Sequence, residues 1–553
     1  MMNIRKFFKV RNYYLLLGVI MINVGCTKNF LEYNTNPNEA TDEMTDWDNV
    51  RTGSLLLQME QNVLVVAQPG LNIGSDRYQT VEVMGGDGYV GYFGFPAPSI
   101  NSAGRYNWDK RSWYGDMFTT NYLTTMNAWR EIRKAINNDE DPRFSMAQIL
   151  KVAAMHRVTD TYGPIPYLNF GVSKEVPYDS QKDVYYRFFE ELDGAINNLD
   201  SYAASGSKVL SSWDCVFNGD VTSWIKFANS LRLRLALHLA YVDETKAKSE
   251  AQLAIGNSYG LMNVKSDLAE LQHITPIATY ESPLYILKGW DDICMGATLD
   301  SYMNGYQDPR LSAYFEAGTG GKYRGIRAGM SKDVSKDKYI TGIFAEPQAT
   351  ATSNVVWMRS SESYFLLAEY ALRWGTNADA KKYYEDGIRM SFDEHGVSGA
   401  DAYLTRTAAG GYVPANYEDP VTSSHSMDAL GTVSIAWDES GDFKTNLEQI
   451  ITQKYIALYP VGQEAWTEFR RTGYPKVFPV VVNESSGGSV DTNIQIRRLP
   501  YPESEYNTNR TELDKGITLL GGVDNPGVRL WWDVPNNCLL YTSDAADEAR
   551  SVD

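Results

Sequence analysis

The chain has 553 residues, of which 43% are hydrophobic, 22% charged and 12% aromatic, with a formal charge of −18 at neutral pH. That length holds several domains or one large body built of repeats, and the composition is that of a folded globular protein. The acidic balance repels nucleic acid and argues against phosphate-rich ligands, while 37 Tyr and 13 Trp supply flat, half-polar surfaces for packing or binding.

Residues 1–25 read as a lipoprotein signal peptide. Arg5, Lys6, Lys9 and Arg11 precede an apolar run, "YYLLLGVIMI", that is too short to cross about 30 Å of hydrocarbon as a helix. Gly25 directly precedes Cys26, which is the predicted site of lipidation and the new N-terminus. Several acyl chains anchor stably, because each buried CH₂ adds about 0.8 kcal/mol. Removing residues 1–25, with four basic and no acidic side chains, takes the formal charge from −18 to −22.

Residues 85–101, "GGDGYVGYFGFPAPSIN", contain a G-x-G-x-x-G spacing. A dinucleotide loop must leave a strand and open a helix. Here the glycines run into "YFGFPAPS", with two prolines, and Asp87 would face any phosphate, so that reading fails. A mobile backbone presenting aromatic rings remains. Sugar rings have apolar faces and polar rims that Tyr and Trp match. The predicted ligand contacts are Tyr89, Tyr92, Asn101 and Trp108 in this first loop, and Trp290 in "LKGWDDICMG". For each, packing of the ring onto the body is the competing reading.

Most of the remaining chain reads as paired helices: 114–137 with 145–161, then 183–200 with a helix at 223. The clearest pair is 361–392. There Tyr364, Leu367, Ala368 and Ala371 form one apolar face, Gly375-Thr376-Asn377 breaks the helix, and Ala380, Tyr384 and Gly387 face back. This is the tetratricopeptide spacing, and Trp224-x₂-Phe227-Ala228-x₂-Leu231 is a looser copy. Stacked units bury a continuous core that no single unit could. The predicted fold is therefore mainly α: a tetratricopeptide-like repeat scaffold with long irregular loops (70–113, 274–360, 395–442) and little β. The loops are expected to form the working face.

Several local signals read as architecture. In "DTYGPIPY", Gly163 closes a helix in a left-handed conformation and Pro164 and Pro166 prevent its restart. In "DPR", Asp308 is expected as an N-cap with Pro309 at the first helical position. Arg470 and Arg471 either neutralise buried carboxylates or lie on a solvated face. Five scattered His residues and no C-x-x-C give no metal spacing, and no catalytic residue or cofactor is indicated. A Cys215–Cys294 disulfide stays open for an exported chain, since spacing does not establish one. Residues 538–553 share no amphipathic logic with what precedes them and are expected to be a non-native tail, leaving 26–537 as a single body.

Together "CTKNFLEYNTNPNEAT", "RVTDTYGPIPY", "DPRLSAYF", "YFLLAEYALRWG", "QKYIALYPVGQEAWTEFRRTGYPKVFP", "RRLPYPESEYNTN" and "RLWWDV" resemble the SusD/RagB family of outer-membrane nutrient-binding lipoproteins, in a divergent branch. The resemblance implies a lipid-anchored protein on the outer face of the outer membrane. It implies a partner, a TonB-dependent SusC-like transporter barrel over which the protein acts as a hinged lid, and a glycan or oligosaccharide ligand, with peptide as the alternative. A secreted glycosidase, which needs two carboxylates about 5–9.5 Å apart, and a pure helical adaptor are the remaining readings.

Overall fold

The computed structural model describes residues 49–67, 74–97, 101–107, 111–173 and 175–535. The signal segment, Cys26, Trp108, Cys538 and the 538–553 tail lie outside the described residues. The chain divides into two compact units, residues 1–52 and 53–553, and the architecture below is that of the second.

Helices begin where a short polar side chain can satisfy the unpaired N–H groups of a first turn. After α1 (Val50–Val63) and α2 (Leu123–Ile136), Asp141 caps α3 (Pro142–Tyr162) through the Arg143 N–H at 2.8 Å, with Pro142 in the first helical position. Ser180 caps α4 (Gln181–Ala204), Asp220 caps α5 (Val221–His238) and Asp243 caps α6 (Glu244–Ile255). Then come α7 (Pro283–Gly289), α8 (Ser360–Trp374) and α9 (Asn377–Glu394), the last capped by Thr376. Asp442 caps α10 (Phe443–Leu458), which is followed by α11 (Gly462–Thr472) and α12 (Arg510–Leu519).

The expected pairs form. The helix α2 packs on α3, α3 on α4, and α4 on α5; α5 touches both α6 and α8, α8 lies against α9 and α10, and α10 meets α11. Ala368, Ala380 and Gly387 are buried at the seam of α8 and α9, and Trp224 is fully buried with its indole N–H on Asp214 at 2.8 Å.

Buried charge ties these helices together. On α8, Glu369 receives both terminal nitrogens of Arg471 at 2.7 Å and Nε of Arg373 at 2.7 Å; Glu362 of the same helix receives Arg234 of α5 at 2.6 and 2.8 Å. Lys454 of α10 lies 3.4–3.7 Å from Glu362, Glu464 and Glu468. Burial alone would raise the Glu369 carboxyl, but Arg471 and Arg373 outweigh it and hold the group well below the usual range. Arg470 lies over the Trp466 ring, 3.5 Å from its centre. Both arginines of "EFRRTG" are fully buried, so the solvated-face alternative is discarded.

Two further expectations need correction, and one open question is answered. The segment 274–360 is not one irregular loop. It contains α7, a helix at Ala297–Gly305, and strands β3 to β6 of three small antiparallel pairs: β1 (Phe93–Gly94) with β3 (Cys294–Met295), β2 (Ala269–Leu271) with β6 (Val355–Met358), and β4 (Phe315–Glu316) with β5 (Glu346–Pro347). Asp308 does not cap a helix through Pro309. It accepts the Arg310 N–H at 2.9 Å and grips the Arg310 guanidinium at 2.6 and 2.9 Å, the pair fully buried ahead of a single turn at Leu311–Tyr314. Cys215 and Cys294 are both buried free thiols and form no disulfide. Gly163 does close α3 at positive φ, +91°, where a Cβ would stand 2.8 Å from Leu520.

Candidate functional site

Two of the predicted ligand contacts belong to the core. Tyr92 is fully buried, stacked on Tyr455 with ring centres 4.7 Å apart, and its hydroxyl donates to the Tyr455 carbonyl. Tyr89 packs on Trp466 at 5.1 Å and is 5% exposed. Neither presents a ring to a solvent-borne ligand. Gly86 explains the inward course: a Cβ there would stand 2.5 Å from the Cα of Gln463, so the segment lies directly on the start of α11. Asp87 then accepts the Gly462 N–H at 2.8 Å, at the first residue of that helix. The glycine-rich spacing thus serves a backbone-to-helix contact. Asn101 opens a short turn, Asn101–Gly104. Of the predicted contacts whose side chains are described, only Trp290 faces solvent, at 45% exposure.

Trp290 follows α7, a two-turn helix started by Pro283 that also displays Tyr285, 43% exposed. The N-terminal end of α7 forms one wall of a pocket of about 180 Å³, to which Ser282, Pro283 and Leu284 contribute. At 1.5 Å rise per residue, Trp290 stands roughly 10 Å further along that helix. The pocket is of the order of the roughly 150 Å³ cavity that holds a single benzene ring. Tyr78, Tyr314 and Tyr459 line it. Tyr314 and Tyr459 are stacked at 4.8 Å with an interplanar angle of 22°, and His395 meets the edge of Tyr314 at 4.6 Å.

The polar groups are few and converge. Arg359, the residue before α8, donates through Nε and Nη2 to the Tyr459 carbonyl at 3.3 and 3.2 Å. The Tyr459 hydroxyl and the His395 Nε2 are buried without a hydrogen-bond partner, and the exposed Gln348 and Asn354 stand at the rim. Burial and then the charges of Arg359 and Arg310 push His395 down to about 2, so its imidazole is neutral at any working pH. No Asp or Glu lines the pocket. Aromatic walls with a handful of fixed polar groups suit a small ring with a polar edge.

Sequence inspection missed Tyr285, Tyr314, Arg359, His395 and Tyr459. The pocket gathers residues from positions 78 to 460, and no local spacing joins them. The one legible signal was the aromatic content of "PLYILKGW".

Elsewhere, His238, Glu464 and Glu468 bring potential metal donors within 4.8 Å of one another. Arg234 and Lys454 already stand against these carboxylates at 3.4–3.7 Å, filling the place of a cation with fixed positive charge.

A stack of tetratricopeptide-like helices with an aromatic, ring-sized pocket at its edge defines a binding scaffold. The chain belongs to the SusD-like family: the model for SusD and RagB outer membrane lipoproteins matches residues 32–533. A chitin-binding SusD homologue from Flavobacterium johnsoniae superposes with a TM-score of 0.82 at 35% identity, covering 88% of this chain and 99% of the other. A SusD homologue from Bacteroides vulgatus has a TM-score of 0.82 at 34% identity, over 89% and 99% of the two chains. One from Bacteroides thetaiotaomicron has 0.80 at 36%, over 88% and 99%. Among curated proteins none matches. No helix among the described residues is long and apolar enough to cross a membrane.

Proposed function

We propose that this protein is a cell-surface lipoprotein, acylated at Cys26, that captures glycans or oligosaccharides and passes them to a TonB-dependent SusC-like transporter. The observation that carries the reading is the tyrosine-lined pocket at the start of α7 together with the exposed Tyr285 and Trp290 on and after that helix. Rings flank a space of single-ring size, and hydrogen-bonding groups stand at its edge, which matches a sugar's apolar face and polar rim. Glycoside cleavage needs a pair of carboxylates, and no Asp or Glu lines this pocket, which supports capture over cleavage as the reading. The chitin-binding relative supports a glycan over other ligand classes.

The test is titration of the lipid-free protein with panels of glycans, chitin oligosaccharides among them, and of peptides. Trp290→Ala and Tyr285→Ala should each weaken glycan binding about tenfold, since a stacked ring is worth on the order of 1 kcal/mol beyond the area it buries. Glycan affinity unchanged in both variants would remove these two exposed rings from the site, and binding of peptides alone would replace the ligand class. Recovery of a large barrel in stoichiometric amount with the lipoprotein from native outer membranes checks the transporter partner.

A further inference from the structure

We infer that the pocket selects an acidic sugar, with the Arg359 guanidinium receiving a carboxylate borne by the bound ring. This rests on the glycan-capture reading and narrows it. Arg359 is 7% exposed and lines the pocket, yet among the described residues no carboxylate lies within 4.0 Å of it, in contrast to Arg234, Arg310, Arg471 and Arg497, all buried and all paired. Among the described residues its hydrogen bonds run from Nε and Nη2 to one backbone carbonyl, and Nη1 has no partner there. The nearby carboxylates are engaged elsewhere: Glu394 by the N–H and hydroxyl of Ser361 at 3.0 and 2.7 Å, and Glu270 by Asn354 at 2.8 Å.

A buried cation with no carboxylate in contact has lost hydration that a bound anion would replace. The planar guanidinium fork suits a carboxylate. Tyr459, whose carbonyl Arg359 holds, also lines the pocket and carries a buried hydroxyl without a hydrogen-bond partner. A chain with a formal charge of −18 repels an anion at long range. Screening beyond about 8 Å at physiological salt leaves the choice to local groups, among which Arg359 is the cation that lines the pocket. The tyrosine-lined, single-ring volume favours a uronate-type or sialate-type sugar over a peptide terminus.

The experiment titrates wild-type protein with glucuronate-, galacturonate- and sialate-containing oligosaccharides, with the methyl esters of the same compounds, and with their neutral parents. The acid form of at least one should bind tenfold or more tighter than its ester, and added salt should weaken the acid alone. Arg359→Gln should erase that preference and keep the affinity for the ester, while Arg359→Lys should retain part of it. Neutral glycans binding as tightly as the acids would overturn the inference and leave glycan capture standing. Failure of every sugar, or binding only of a peptide with a free C-terminal carboxylate, would overturn both. The acid-to-ester ratio in the wild type decides even if the Arg359 variants do not fold.

Discussion

Arg471 is fully buried between Glu369 and Glu468, with contacts of 2.5–2.7 Å. Removing one partner leaves the others charged in the interior, so Arg471→Met should destabilise the protein by about 3–5 kcal/mol in urea unfolding. Joint replacement of Arg471 and Glu369 by apolar residues should cost less than the sum of the two single changes. At Tyr92 the expected loss has another origin. Tyr92→Ala opens a cavity between Tyr455 and Tyr459 and should cost about 3–5 kcal/mol of stability. Trp290→Ala should do the reverse, moving stability by under about 0.5 kcal/mol while weakening binding. A thermal-shift and titration pair on the two variants checks both statements. Composition could mark these rings as binding candidates but could not sort them, because exposure is a property of neighbours far away in the chain.

The helix pairs were legible because an amphipathic helix writes its buried face into a 3.6-residue period, and α8 and α9 fall where that period and the Gly375-Thr376-Asn377 break place them. The aromatic segment at 85–95 has no period, and its inward course depends on α11, some 370 residues later. Gly86→Ala tests that dependence. A Cβ 2.5 Å from the Gln463 Cα and 2.7 Å from the Gly462 carbonyl carbon meets backbone that has no rotamer to change. The substitution should cost about 1–3 kcal/mol and shift the α11 amide signals, without creating or removing any phosphate affinity. By the same logic α7 was hidden inside a presumed loop: seven residues are too few for a periodic signature, although Pro283 marks its start.

Over the whole molecule, buried acids pull stability in opposite directions as pH changes. Burial works against Glu464, but Arg234, His238 and Lys454 outweigh it, so Glu464, like Glu369, ionises well below the usual range. Their contribution is complete above the unfolded value of about 4.3 and is lost as pH falls through the lower folded values. Burial raises Glu60 and Asp87 well above the usual range and Asp300 to about 6. Those groups favour folding most below their unfolded values, and that benefit is lost as pH rises through the raised ones. Between pH 7 and 5 the raised acids give a gain that His395 and His156 oppose, since burial keeps both imidazoles neutral while the unfolded ones protonate. Below pH 4 the urea midpoint should fall steeply. Asp87→Asn should reduce the gain between pH 7 and 5 and leave the acid limb unchanged.

Local pattern alone carried the helical repeat architecture and the family, since each is written in short-range periodicity or in motifs that survive without their surroundings. The candidate binding face was different. Whether Tyr92 or Trp290 meets solvent, and whether Arg359 finds a counter-charge, depends on which distant helices and strands arrive beside them. Burial and charge pairing are sums over neighbours in space, and a linear order does not contain that sum until the chain has folded.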